Sequence, residues 1–267
     1  MKKERVIITF ADKEPYISEA KNLEKLCKKN NIDFILYDME YLKSSGFYQE
    51  NYDLLQYPKA GFCCWKPYII LESLKKYKKV LYLDSSNLFY ENSINSFFDN
   101  TSPCSTSTIV RHLEHTDKKT AVIMELDFEK YKYKTHIWAG VFLATNNELS
   151  KKVLNEWLKY VTILDCVFPN KEYSFGDHWF DQSILSLIFS KYHIKGVENY
   201  FFVDTRDPGH LKEIEKNFGI DIIANQKELI LKYLDVYNNS ASCCWQKGKD
   251  ENGKMQYFTQ EISALVP

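Results

Sequence analysis

The sequence has little arginine, glycine or proline, and it lacks an excess of charge of either sign. Only three of its 267 residues are arginine, and there are nine glycines and seven prolines. It has 35 basic and 36 acidic side chains, so it lacks the basic excess of a protein that binds nucleic acid through phosphate contacts. The chain is nevertheless 45% hydrophobic and 15% aromatic, a composition that excludes a disordered protein and supplies a sizeable core.

Targeting segments and metal-binding cysteine patterns are also missing. No stretch approaches the roughly 18 apolar residues of a membrane span, and the first residues lack the apolar centre of a signal peptide. The seven cysteines are odd in number, and none has the CxxC spacing of a zinc site. We therefore expect a cytoplasmic protein with reduced cysteines and no transmembrane segment.

Apolar periodicity predicts a βαβ unit at the start of the chain. Residues 6–10 (VIITF) form a β-branched run typical of a strand buried on both faces. A helical face with steps of three and four residues follows at 16–27, and residues 32–37 predict the next strand. Two strands joined through a helix are usually parallel, so we expect a parallel sheet here.

The rest of the chain predicts elements of the same α/β kind. Trp65-Lys66-Pro67 predicts a helix start, because proline is tolerated in the first turn of a helix. Further strands are predicted at residues 80–83, 129–134, 137–144 and 197–203, and further helices from Asn147, from Asp177, and near 210–217 and 226–236. We expect one α/β domain over residues 1–267, with a mixed, mainly parallel central sheet flanked by helices.

Asp84 is the first candidate site residue. The predicted strand at 80–83 delivers it to the carboxyl end of a parallel sheet, where α/β proteins bind their ligands. The oxygen-bearing side chains of Ser86 and Asn87 follow closely. This group suits a ribose hydroxyl or a divalent cation, although the same residue types also favour an ordinary turn at a strand end.

A second candidate lies at a predicted helix start that contains Asp177, His178, Asp181 and Gln182. Asp177 alone is typical of an N-cap, whereas Asp181 and Gln182 are successive polar residues that cannot both face the core. One of them can contact a sugar hydroxyl while the other lies near a reacting carbon. His178 lies beside aromatic residues, which favours a structural role and makes it a minor candidate.

Two weaker candidates lie elsewhere. Ala139 and Gly140 are small residues in a predicted strand, where they let either a ligand or a neighbouring helix approach the backbone closely. Arg206 and His210 lie in a turn-rich segment. Arginine binds phosphate through paired hydrogen bonds, and histidine suits a metal or a phosphate. A solvent-exposed loop also explains that segment.

The order of these motifs resembles that of nucleotide-sugar-dependent glycosyltransferases of the GT-A fold. They are most similar to a group of bacterial enzymes and, more distantly, to the galactosyltransferases of family 8. The resemblance extends over residues 5–203. The matching runs are GFCCWKPYIIL at 61–71, VLYLD at 80–84, Ala139-Gly140, Glu156-Trp157 and Asp181-Gln182-Ser183.

This resemblance implies roles for the matching residues. Asp181 would bind donor-sugar hydroxyls, Gln182 would lie beside the anomeric carbon, and Asp177 or Asp181 would be the base of an inverting reaction. Asp84 would contact the nucleotide ribose and a metal. Together with the candidates from the sequence positions themselves, the expected donor-binding residues are Asp84, Lys66, Ser86, Asn87, Trp65, Ala139, Gly140, Arg206 and His178.

Ser86 departs from the family pattern, which has a second aspartate at this position. Serine is a poorer ligand for Mn²⁺ or Mg²⁺ than a carboxylate. Either Asp84 holds a divalent cation together with another group, Asn87 or His210, or the enzyme uses no metal and Lys66 and Arg206 neutralise the diphosphate.

The implied function is transfer of a sugar from a nucleotide-diphosphate sugar to a hydroxyl of a glycan or lipid-linked glycan. The expected setting is the synthesis of a bacterial surface polysaccharide such as capsule or lipooligosaccharide, in the cytoplasm or peripherally at the inner face of the membrane. Residues 1–87 would form the nucleotide-binding half, and residues 88–267 the half for donor sugar and acceptor. A nucleotidyltransferase and a non-catalytic binding protein on the same fold are the alternatives.

Overall fold

The computed structural model describes residues 2–169, 178–199 and 201–204. The central sheet has four strands, and two smaller sheets have two strands each. The strands are β1 (Lys3–Phe10), β2 (Asp33–Tyr37), β3 (Tyr77–Leu83), β4 (Asn87–Phe89), β5 (Ser107–Arg111), β6 (Thr135–Ile137), β7 (Val141–Thr145) and β8 (Phe202–Asp204). The central sheet has the order β2-β1-β3-β7, and the small sheets pair β4 with β8 and β5 with β6.

Helices surround the central sheet. They are α1 (Tyr16–Lys29), α2 (Met39–Lys43), α3 (Gly46–Glu50), α4 (Tyr52–Leu55), α5 (Pro58–Phe62), α6 (Lys66–Leu74), α7 (Ile94–Phe98), α8 (His112–His115), α9 (Lys118–Ile123), α10 (Phe128–Tyr131), α11 (Glu148–Val161), α12 (Leu164–Val167) and α13 (Phe180–Lys191). In the part of the chain that the structure describes, no helix is both long enough and apolar enough to span a bilayer.

The expected mixed, mainly parallel sheet is confirmed. β1 pairs in parallel with β2 and with β3, as the βαβ pattern predicted, while β7 pairs antiparallel to β3. The β-branched and aromatic run of β1 alternates between two cores. Ile8 lies with Tyr82 in the core that packs against α6, α11 and α13, and Ile7 lies with Leu81 in the core that packs against α1 and α7.

Three local predictions are wrong in part. The alternating lysines and tyrosines at 129–134 do not form a strand, because Asp127 caps the short helix α10 by accepting a hydrogen bond from the Glu129 backbone N–H (3.0 Å). The predicted strand at 137–144 is interrupted by a turn at 138–140, which separates β6 from β7. The late strand is shorter than predicted and begins at Phe202. The helices predicted near 210–217 and 226–236 lie outside the described residues.

Most of the segment labelled α5 is not right-handed helix but a left-handed turn, which directly precedes helix α6. Residues 59–63 all have positive φ values, from 49° to 71°, and only one of the five, Gly61, is a glycine. The turn is closed by hydrogen bonds from the Gly61 N–H to the Tyr57 carbonyl (3.1 Å) and from the Cys63 N–H to the Lys59 carbonyl (3.2 Å). Left-handed backbone costs an L-residue about 1–2 kcal/mol. Strained backbone of this kind concentrates near functional sites, and this turn ends directly before α6.

Substitution of Gly61 tests this turn. A Cβ at Gly61 would lie 2.9 Å from the Leu54 carbonyl oxygen, and φ is +71°. We expect Gly61→Ala to lower the free energy of unfolding by at least the roughly 1–2 kcal/mol of left-handed strain, measured by urea denaturation. Gly46→Ala is the control, because a Cβ there meets nothing within 4 Å. Equal stability of the two variants would contradict the left-handed turn.

Candidate active site

Four segments meet at the carboxyl edge of the central sheet. Asp84 follows the last residue of β3, and the turn at 138–140 joins β6 to β7 beside it. The Asp84 N–H donates to the Gly140 carbonyl (2.8 Å), which fixes the turn against the strand end. The first residue of α6, Lys66, and the second residue of α13, Asp181, complete the group. These residues lie far apart in the sequence, and the fold brings them together.

The ammonium group of Lys66 is the centre of the site. Its Nζ lies 3.2 Å from Asp84 Oδ1 and 3.1 Å from Asp181 Oδ2, and it donates to the Ala139 carbonyl at 3.5 Å. An ammonium group has three donors, and these three oxygens surround it. The Lys66 side chain is only 5% exposed, whereas that of Asp84 is 26% exposed and is the more accessible of the two carboxylates. A salt bridge this buried organises the geometry of the site more than it adds net stability.

The charges of the site determine its protonation state. Burial by itself lowers the pKa of Lys66, but the charges of Asp181 and Asp84 outweigh burial, and the pKa ends well above its usual value. Burial raises the pKa of the Asp181 carboxyl, although Lys66 opposes that shift. Burial and the nearby Asp84 charge raise the pKa of the Tyr82 hydroxyl, which donates to Asp84 Oδ1 at 2.6 Å. One ammonium group between two carboxylates leaves the cluster with a net charge of about −1 when both acids are ionised.

Local sequence explains why a lysine can begin helix α6. A cation at a helix N-terminus opposes the helix dipole by about 0.3–1 kcal/mol, and the two carboxylates offset this cost. Pro67 lies in the first turn, where it loses no helical hydrogen bond. Trp65 is buried before the helix start, where it stacks on Phe10 (ring centroids 3.9 Å apart) and contacts Tyr82 edge-on. These contacts fix the direction in which the Lys66 side chain leaves the helix.

Gly140 permits the closest approach in the site. A Cβ at this residue would lie 2.8 Å from Asp84 Oδ2, 2.8 Å from Trp138 Nε1 and 3.1 Å from Asn87 Nδ2. The Asn87 side-chain amide also donates to the Gly140 carbonyl (2.8 Å). A carboxylate and two N–H donors therefore converge on a residue that has no side chain. The groups that approach Gly140 are side chains of the site itself, so ligand binding at Ala139-Gly140 stays a prediction.

The start of α13 is held from two sides. Trp157 Nε1 donates to the Asp181 backbone carbonyl (3.0 Å), which ties the helix to α11. The Ala139 N–H donates to Gln182 Oε1 (3.2 Å), which ties the helix to the turn at 138–140. Asp181 lies in the first turn, where the helix dipole favours a negative charge. The Asp181 carboxylate therefore contacts Lys66 and the Gln182 carboxamide contacts the Ala139 N–H, and their roles toward a sugar stay predictions.

The structure places the remaining predicted residues less centrally. His178 is buried, its Nδ1 accepts from the Asp117 N–H (3.2 Å), and burial lowers its pKa to about 3. Trp65 is buried in its stack and offers no open face for a sugar or a base. Ser86 is buried beneath the strand end, and its neighbour Ser85 donates to a buried carboxylate of α1, Glu19 (3.1 Å). Donor binding by His178 and Ser86 stays a prediction.

The described residues do not by themselves form a divalent-cation site. Asp84 Oδ1 already accepts from Tyr82 and lies against Lys66, and position 86 offers a hydroxyl in place of a carboxylate. Within residues 2–169, 178–199 and 201–204, no group of three or more His, Cys, Asp or Glu side chains could hold a metal ion. Asp177, Arg206 and His210 lie outside the described residues, so their roles stay predictions.

Sequence reasoning missed a buried polar seam along α13. Three serines on one face of the helix each form a hydrogen bond with a histidine, one with its backbone carbonyl and two with an imidazole nitrogen. They are Ser183, Ser186 and Ser190, and the matching histidines are His115, His136 and His112. The signal was present in the sequence, because serines at steps of three and four residues interrupt an otherwise apolar helix.

Comparison with known proteins gives distant likenesses only. No protein-family model matches the chain, and a search of curated proteins gives no match. A glycosyltransferase involved in glycosylation of the major capsid of PBCV-1 is 15% identical over 80% of this chain and 88% of that one, with a TM-score of 0.40.

Two other solved structures are similarly distant. Mouse xyloside xylosyltransferase 1 is 13% identical over 73% of this chain and 84% of that one, with a TM-score of 0.38. The galactosyltransferase LgtC, in complex with donor and acceptor sugar analogs, is 16% identical over 67% of this chain and 68% of that one, with a TM-score of 0.36. Likenesses this distant do not establish an activity, which has to be inferred from the site itself.

Removal of the Lys66 charge should destabilise the fold. Lys66→Met leaves Asp84 and Asp181 beside each other with no cation, and breaking a buried ion pair from one side costs about 3–5 kcal/mol. Lys75→Met is the control, because Lys75 is exposed and its pair with Glu72 lies on the surface. Urea denaturation should show a large loss for the first variant and little change for the second. Similar stabilities would contradict the central role of the ammonium group.

Buried neutral histidines should make the protein sensitive to mild acid. Burial lowers the pKa of His112 to about 4 and that of His136 well below its usual value. The unfolded chain therefore binds protons below a pH of about 6.5 while the folded protein does not, so stability falls as the pH drops through that value. We expect a loss of about 2 kcal/mol per buried histidine between pH 7.5 and pH 5, measured by urea denaturation.

A histidine variant provides the control for this pH dependence. His112→Asn removes one titrating group, so its stability should fall less steeply between the same two pH values. A free energy of unfolding that does not change with pH in the unmodified protein would contradict the buried, neutral state of these side chains.

Proposed function

We propose that this protein is a glycosyltransferase that moves a sugar from a nucleotide-diphosphate sugar to an acceptor hydroxyl. One observation carries the proposal: Lys66 lies between Asp84 and Asp181 at the carboxyl edge of a mainly parallel sheet. Ligands of open α/β sheets bind at this edge. The same three residues occupy matching positions in the motif order that resembles GT-A glycosyltransferases.

The chemistry of the cluster suits a polyhydroxylated ligand. Carboxylate oxygens accept hydrogen bonds from sugar hydroxyls, and an ammonium group donates to their oxygens. Asp84 is the more exposed carboxylate, and we assign it to the ribose of the nucleotide. Asp181 is nearly buried and contacts Lys66 through Oδ2, and we assign it to the donor sugar.

The negative charge of the cluster also fits the reaction. Glycosyl transfer develops positive charge at the anomeric carbon, and a site with a net charge of about −1 stabilises it. We place Gln182 beside that carbon, because its carboxamide is already oriented by the Ala139 N–H. An inverting reaction needs a carboxylate base toward the acceptor, for which Asp181 and Asp177 are the candidates. A retaining reaction would instead use a group on the opposite face of the sugar, where Gln182 stabilises the positive charge.

The diphosphate needs a cation that the cluster does not supply. The Lys66 charge is already shared by two carboxylates, so it neutralises little of a leaving diphosphate. We assign this role to Arg206, with His210 and a divalent cation as the further candidates from the sequence. Our finer proposal for the acceptor is a hydroxyl of a surface glycan or lipid-linked glycan, reached in the cytoplasm or at the inner face of the membrane.

A non-catalytic binding protein is the second candidate, because Ser86 stands where the related pattern has a metal-binding aspartate. A nucleotidyltransferase is disfavoured. It would need a glycine-rich loop with basic residues after the first strand, and residues 11–14 read ADKE.

A panel of nucleotide sugars tests the proposal. UDP-, GDP-, CDP- and dTDP-sugars, with and without Mn²⁺, would be added to the purified protein, and the melting temperature and the slow hydrolysis of each donor would be measured. We expect one nucleotide class to raise the melting temperature, since a ligand that binds the folded state stabilises it. Stabilisation with no hydrolysis or transfer would favour the binding protein. No stabilisation by any member would overturn the proposal.

Two variants then test the assigned roles. Asp84→Ala should weaken donor binding at least tenfold, because it removes the ribose contact, about 1.4 kcal/mol. Asp181→Asn keeps the shape of the side chain and should abolish turnover with little loss of binding. Asp165→Ala, at an exposed carboxylate on α12, is the control. Unchanged turnover in both site variants would refute the site.

A further inference from the structure

The geometry points to Ser186 as a positioning residue that holds the start of α13 against the turn at 138–140. Its hydroxyl accepts from the Ile137 N–H (2.9 Å) at the end of β6 and donates to the Gln182 carbonyl (2.6 Å) in the first turn of α13. One buried oxygen atom therefore joins the two segments that carry the proposed sugar-binding groups. The role of Ser186 in sugar binding rests on the proposed function, whereas its hydrogen bonds do not depend on it.

The Ser186 hydroxyl proton has one preferred acceptor. The Gln182 carbonyl is the closest acceptor at 2.6 Å, whereas the Ile137 carbonyl lies at 3.3 Å. A hydroxyl has a single proton, so the nearby His136 Nδ1 (3.3 Å) must donate to Ser186 Oγ for the two groups to bond. This requirement fixes the neutral His136 tautomer that carries its proton on Nδ1.

The limit of one proton per hydroxyl or neutral imidazole also fixes the direction of the other hydrogen bonds of the seam. His136 Nε2 must then accept, and Thr116 Oγ1 donates to it at 2.8 Å. With that proton used, His112 Nδ1 donates to Thr116 Oγ1 (3.5 Å), and His112 Nε2 accepts from Ser190 Oγ (2.9 Å). From Ser190 to Ser186, every hydroxyl and imidazole N–H is used once, and these bonds run in one direction toward the Gln182 carbonyl.

This series of hydrogen bonds requires the imidazoles of His112 and His136 to be neutral and buried. His112 and His136 are completely shielded from solvent, and Ser186 is as well. Burial lowers the pKa of both histidines, so neither carries a charge near neutral pH. A protonated His136 would have two donors and could not accept from Thr116. The seam therefore acts as a fixed support, which orients the Ser186 hydroxyl and, through it, the first turn of α13.

A comparison of two serine variants tests the inference. Ser186→Ala and Ser190→Ala each delete one hydroxyl that bonds to a histidine from the same helix face. Only Ser186 also touches the Ile137 N–H and the Gln182 carbonyl. With the nucleotide sugar that most stabilises the protein in the panel above, we expect Ser186→Ala to raise the Kd about tenfold, and Ser190→Ala less than twofold, with comparable losses in melting temperature.

Two further readouts keep the test decisive. Ser186→Thr retains the hydroxyl, and threonine in a helix can bond to the carbonyl four residues earlier, so it should restore the affinity. Amide hydrogen exchange needs no ligand. The backbone amides of Ile137 and Ala139 should exchange at least tenfold faster in Ser186→Ala than in the unmodified protein, and their exchange rates should not change in Ser190→Ala.

The outcomes separate the two proposals. If no nucleotide sugar binds, the proposed function fails, and hydrogen exchange alone decides the role of Ser186. If a donor binds and both alanine variants weaken it equally, or neither does, Ser186 is not a positioning residue. Unchanged exchange at Ile137 and Ala139 in Ser186→Ala would overturn the inference without reference to any ligand.

Discussion

One buried ammonium group determines how this protein's candidate site is built. The Nζ of Lys66 contacts Asp84 at the end of β3, Asp181 at the start of α13 and the Ala139 carbonyl in the turn between β6 and β7. Each partner belongs to a different segment, so the position of the ammonium group defines the distances between them. Two aspartates this close would repel each other without it, and burial would make their charges costly.

The surroundings of Lys66 can be understood as support for this arrangement. Phe10 and Trp65 stack beneath the helix start, and Gly140 leaves room for Asp84 and its neighbours to approach the backbone. The left-handed turn at 59–63 allows the chain to enter α6 from the required direction, at a cost in backbone strain. On the far side, hydrogen bonds from Trp157 and from the Ala139 N–H hold the first turn of α13.

Much of the architecture could be predicted because its signals are local. The apolar run of β1, the helical face of α1 and the strand that ends before Asp84 depend on periodicity within a few residues. Predictions failed where a single side chain changed the local preference. Asp127 caps a helix where alternating residues suggested a strand, and Gly140 with its neighbours forms a turn inside a continuous apolar run. Neither effect is visible in the pattern of apolar residues.

The sequence by itself determined which residues are polar at the ends of which elements. Lys66 at a helix start, Asp84 after a strand and Asp181 in a first helical turn were each identified in this way. Only the tertiary structure decided that these three form one ion cluster, because they lie up to 115 residues apart and their meeting depends on the packing of α6 and α13 on one face of the sheet. The hydrogen-bonded seam was likewise decided by packing, since a serine selects its partner only when another chain segment buries it.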